Sequence, residues 1–139
     1  MKLSKVINNF KGSTLAETMV AIVLFGIVLV GILDVCAQNM LMGKRSDLAF
    51  NAYSLAKNHL ETLKSLSFSS LSSAVETDTI VDATGVSDSD GTFKRNTTVT
   101  TNYTSDANLV QVSVTVDYQV KGQYVNKPAS LSTVVYQYA

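Results

Sequence analysis

The sequence predicts an α+β fold: one long N-terminal α-helix whose second half packs on a small antiparallel β-sheet of three to four strands. Three observations predict it. Residues 15–33 form an apolar run in which Glu17 is the only charge. Residues 46–66 contain neither proline nor glycine, and Leu48, Ala52, Leu55, Ala56, Leu60, Leu63 and Leu66 recur there at helical spacing. Between residues 110 and 121 the period is two: Val110, Val112, Val114, Val116, Tyr118 and Val120 alternate with polar residues.

The chain opens on a short basic leader, residues 1–12, which holds Lys2, Lys5 and Lys11 and no acid. Acids and bases balance at 11 each over the whole chain. Taking the three leader lysines from the 11 bases leaves 8 bases against 11 acids in residues 13–139. A basic start and a mildly acidic remainder predict export with the N-terminus left in the cytoplasm. The balance provides no global attraction to nucleic acid, and no nucleic-acid partner is expected.

The apolar run follows the leader at once. Its nineteen residues, 15–33, span about 28 Å as a helix, close to the hydrocarbon thickness of a bilayer of about 30 Å. The helix is expected to continue, giving one helix over residues 13–66. Residues 13–42 form the half that sits in lipid or in a filament core. Residues 43–139 form a globular domain on the far side of the membrane. In residues 46–66 the face opposite the apolar stripe carries Lys57 and Glu61, spaced to pair at i, i+4.

Residues 67–91 are rich in serine, aspartate and glycine and predict an irregular connection with a short strand near residues 79–81. Residues 92–103 predict a weaker strand with Phe93, Val99 and Tyr103. Residues 105–108 close a hairpin to the alternating strand, and a last strand covers residues 130–138. Such a sheet has one apolar face and needs a cover, which the helix stripe supplies.

The stretch that points to function is Lys11-Gly12-Ser13-Thr14-Leu15-Ala16-Glu17, followed directly by the apolar run. A general secretory signal is cut after its apolar region. Here a small residue after a lysine precedes it. This resembles the class III signal of type IV prepilins and pseudopilins. The resemblance implies cleavage by a prepilin peptidase between Gly12 and Ser13, N-methylation of Ser13, and an assembly role for Glu17, five residues after the cut. Ser13 stands where the family often has phenylalanine. NAYSLAKNHLETLKSLSFSSL and the strands LVQVSVTVDYQVKG and LSTVVYQYA look like PilV-type minor pilins and I-type pseudopilins. The resemblance implies a minor pilin of a type IV pilus, or alternatively a pseudopilin of type II secretion. It implies as partners other pilin or pseudopilin subunits, the peptidase, inner-membrane lipid and a pilus or secretion assembly platform. The location implied is the inner membrane, single-pass, with the filament in the periplasm or at the cell surface.

Glu17 has a physical reason to matter apart from the resemblance. A cut after Gly12 frees an α-amine one helical turn from Glu17. The same amine can reach Glu17 of a neighbouring chain as helices stack. Breaking a buried ion pair costs about 3–5 kcal/mol, so such a pair penalises misregister.

Competing signals are weaker. Val35-Cys36-Ala37 resembles a signal peptidase site and residues 33–36 faintly resemble a lipobox; either would make residues 1–35 or so a removed signal or a lipidation signal, and a removed signal would leave a soluble exported binding domain instead. Cys36 is the one cysteine, so no disulfide forms within the chain. His59 is the one histidine and reads as a boundary residue of the helix, with no catalytic or zinc partner. Asp88, Asp90 and Gly91 echo a calcium loop, but its twelfth position is Val99 rather than glutamate. Asn96 and Asn102 begin sequons that read as incidental. No enzyme, metal or cofactor is expected.

Overall fold

The computed structural model describes the backbone of residues 4–125 and 127–137, and side chains from Thr14 onward. It is α+β as expected. The elements in chain order are α1 (Ser4–Lys64), α2 (Phe68–Leu71), β1 (Glu76–Val81), β2 (Phe93–Thr101), a short 3-10 turn (Tyr103–Ser105), β3 (Leu109–Val120), β4 (Gln123–Tyr124) and β5 (Ala129–Tyr136). The chain divides into two compact units, Met1–Gly43 and Lys44–Ala139.

In the first unit α1 starts earlier than expected, at Ser4 rather than at residue 13. Nothing in residues 4–12 breaks a helix except Gly12, which costs only about 1 kcal/mol relative to alanine. From Leu15 to Met42 every large apolar side chain is exposed, including Ile22 at 71%. A helix apolar on all sides needs an apolar surrounding. By length and composition it can cross a membrane.

In the second unit the helix stripe covers the sheet. Ala52, Leu55, Ala56, Leu60 and Leu63 are buried, with Leu48 packed against them. Leu66, expected in this stripe, is instead 41% exposed, because α1 ends at Lys64. The last turn tightens: Ser65 N and Leu66 N donate to Thr62 O and Leu63 O, both at 3.1 Å. The Ser65 hydroxyl competes for Thr62 O at 2.7 Å, and Ser67 is extended (φ −65, ψ 148). Glu61 pairs with Lys64 at 3.3 Å rather than with the expected Lys57.

The sheet is antiparallel throughout, in the order β1-β2-β3, with β5 on the other side of β3 and the two-residue β4 paired to the end of β3. The alternation in residues 110–121 becomes β3, whose Val110, Val112, Val114 and Val116 are all buried. Opposite them lie Val135, Thr133, Leu131 and Ala129 of β5. Phe93 of β2, 1% exposed, faces Tyr118. Each large side chain buried here contributes about 1.5–3 kcal/mol. The connection after β1 is pinned by Gly91, where any Cβ would meet the Val81 carbonyl oxygen. Hence only glycine fits there without shifting β1.

Candidate functional site

The residues singled out by the leader motif lie on one helix. Gly12 and Ser13 fall in the helical backbone of α1; their side chains lie outside the described residues. Glu17 is exposed. Four helical steps lead to it from Ser13, a rise of about 6 Å. An amine at Ser13 and the Glu17 carboxyl therefore share one turn at the start of an apolar rod. Thr18 is tied back to its own helix, its hydroxyl donating to Leu15 O at 2.9 Å.

Cys36 is a free, exposed thiol in the apolar unit. In the suspected calcium loop, Asp88 spends its carboxylate on a turn, accepting from Asp90 N at 3.0 Å. Among the described residues no three side chains are grouped to hold a metal ion. Asn96, the first sequon residue, uses its amide oxygen to accept from Asp78 N at 2.7 Å.

The sequence reading missed a polar cluster set into the apolar face of the sheet. Arg95 and Thr97 of β2 point inward, each paired across the strand with a buried valine, Val116 and Val114. Glu76 of β1 meets Arg95 through two bonds, Arg95 Nε to Oε2 at 2.7 Å and Arg95 Nη2 to Oε1 at 3.0 Å. The two forks match, which makes this the strong form of such a pair. The Thr97 hydroxyl donates to Glu76 Oε2 at 3.3 Å. Its one hydrogen is then used, so its 3.2 Å contact with His59 Nε2 has the ring nitrogen as donor. His59 Nε2 also lies 3.4 Å from Glu76 Oε2. Read as a boundary residue, His59 thus ties α1 to β1 and β2.

A β-bulge makes this cluster. Glu76 stands opposite Thr97, and Thr79 opposite Arg95. Three steps along β1 therefore match two along β2. The extra residue sits beside Asp78, whose φ is 51, and flips the facing of the strand. Even-numbered Glu76 thereby faces inward with odd-numbered Val81. Aspartate tolerates the left-handed backbone better than most residues. Without a glycine at the bulge, the sequence carries no clear sign of it.

The electrostatics give a sign to the pH dependence. Burial lowers the His59 pKa, and Arg95 lowers it further against the opposing pull of Glu76. For Glu76, burial acts upward, but the bonds and charge of Arg95 outweigh it, helped by His59 and Thr97, so its pKa falls below the usual carboxylate value. The unfolded chain therefore binds more protons than the folded one in both ranges. His59 contributes fully above its ordinary 6.5 and less as pH falls below it; Glu76 contributes above 4.5 and less below. The midpoint of thermal unfolding is expected to drop from pH 7 to pH 5, and His59→Gln to flatten that first drop. A midpoint constant over this range would show that His59 does not titrate with folding.

Comparison with known proteins bears on the N-terminal segment. Residues 7–33 match the prokaryotic N-terminal methylation motif, the signal of type IV prepilins. The match includes Gly12, Ser13 and Glu17 and runs to the end of the apolar run at Leu33. Neither the curated proteins nor the solved structures yield a match. Chains with this signal are in general cut by a prepilin peptidase and assemble with other pilin subunits.

Proposed function

We propose that this membrane-anchored, type IV pilin-like subunit is a minor pilin, a structural part of a pilus rather than an enzyme. One observation carries the reading. Within the methylation motif, Gly12-Ser13 and Glu17 lie one turn apart, at the head of the stretch of α1, Leu15 to Met42, whose large apolar side chains are all exposed. An exposed apolar rod is stable in lipid or among other such rods. A subunit that moves from one to the other needs a device that sets its register, and the Ser13 amine with a neighbour's Glu17 supplies it. The leader keeps the N-terminus in the cytoplasm, the helix holds the inner membrane, and Lys44–Ala139 faces outward on the assembled fibre. Cleavage falls between Gly12 and Ser13, and the methyl group goes to Ser13.

Intact mass of the chain from sheared surface pili tests this. A mature chain starting at methylated Ser13 and present in that fraction is expected. A chain beginning near Cys36 would overturn the reading. A methylated chain absent from pili, whose loss stops protein secretion, would place it in a secretion pseudopilus.

A further inference from the structure

The second unit carries an open groove of about 680 Å³, lined by Arg45, Tyr118, Lys121, Gln123, Tyr124 and Lys127 among others, with no acid among the described residues of its walls. Among the described residues, Arg45, Lys121 and Lys127 stand outside the ion pairs. Lys94, whose Nζ lies 4.8 Å from the Tyr124 ring centroid, is by contrast committed to Asp78 at 3.1 Å. Lys121 occupies a costly position. It and Gly122 form the two-residue turn between β3 and β4, both with positive φ, 54 and 78. Such turns favour asparagine, aspartate or glycine at the first place. A lysine here accepts backbone strain and puts a cation at the rim of the groove.

Position along α1 says what the groove meets. Arg45 lies three residues after Met42, the last exposed large apolar side chain of the first unit. Within the first unit, Glu17 to Gly43 is 26 helical steps, about 39 Å, close to the roughly 40–45 Å of a bilayer with its headgroups. With Glu17 at one headgroup layer the first unit ends near the other, and Arg45 follows two residues later in the chain. Tyrosines beside such cations are typical of that layer.

We propose that this groove binds the anionic phosphates of lipid headgroups where the second unit leaves the membrane, and so holds the unassembled subunit against the bilayer. The proposal rests on membrane anchoring through α1. Its test uses the full chain in lipid nanodiscs, either phosphatidylcholine alone or with phosphatidylglycerol. Amine acylation read by mass spectrometry should label Lys121 and Lys127 about fivefold more slowly in the anionic discs, the size expected for a cation at an anionic surface. Lys57 and Lys64 should label equally in both. Arg45→Gln should restore much of the labelling, as should high salt. Equal labelling of Lys121 and Lys127 in both discs would overturn the groove while leaving anchoring intact. Protection by added duplex DNA, and not by anionic lipid, would overturn it in favour of nucleic acid. A chain that fails to enter either disc would overturn the groove and the membrane reading together.

Discussion

Glu17→Ala is expected to lower the amount of the chain in sheared filaments by at least a hundredfold, with its level in the membrane unchanged. The helix itself loses nothing, since alanine is the best helix former. What it loses is the carboxylate proposed to answer the free amine of Ser13 in the next subunit. Leaving a buried charge without its partner costs about 3–5 kcal/mol, or a factor of about a hundred to several thousand in an association constant. The cost falls only on the assembled state, because in the membrane the amine reaches headgroups and water. Glu17→Asp, one methylene shorter, should retain part of the incorporation. Normal fibre content of the alanine variant, read by immunoblot of sheared and membrane fractions, would remove Glu17 from assembly.

The second large effect is expected at Arg95. Arg95→Leu keeps a side chain that suits the apolar face but leaves Glu76 inward and unanswered. With Glu76 28% and Arg95 11% exposed, water relieves part of the penalty. A loss of about 2–3 kcal/mol follows rather than the full value for a buried pair. For a unit of this size that lowers the melting midpoint by about 10–20 °C. The double variant Glu76→Leu with Arg95→Leu should recover most of it, since a matched apolar pair replaces a matched ionic one. Thermal unfolding of the full chain in detergent measures both. If Arg95→Leu melts within a few degrees of the parent, the cluster is a surface ornament and not a fastening.

These two sites differ in how far the sequence discloses them. Glu17 is legible because its setting is linear: glycine, serine, glutamate and an apolar run follow one another along a single helix. The valines of β3 are legible for a similar reason, since one strand displays the whole alternation. The cluster at Arg95 needs four residues from three elements, and local pattern works against it. Arg95 and Thr97 occupy inward positions of β2 where an apolar residue would be expected. His59 falls beside the apolar stripe of α1 and looks like part of its edge. Glu76 reaches inward only because of the bulge at Asp78, which has no glycine to announce it. The end of α1 was obscure for another reason. Leu66 continues the stripe in the sequence, but the Ser65 hydroxyl takes Thr62 O and the backbone turns extended at Ser67.

The bulge also restricts how this chain can vary. Straightening the bulge at unchanged chain length would restore plain two-residue periodicity, and Glu76 would then turn to solvent while Thr77 turned in. Arg95 would lose its counter-charge although no charged residue had been deleted. The left-handed turn of the backbone at Asp78 is therefore under the same constraint as the identity of Glu76, in a stretch that otherwise looks like an ordinary edge strand.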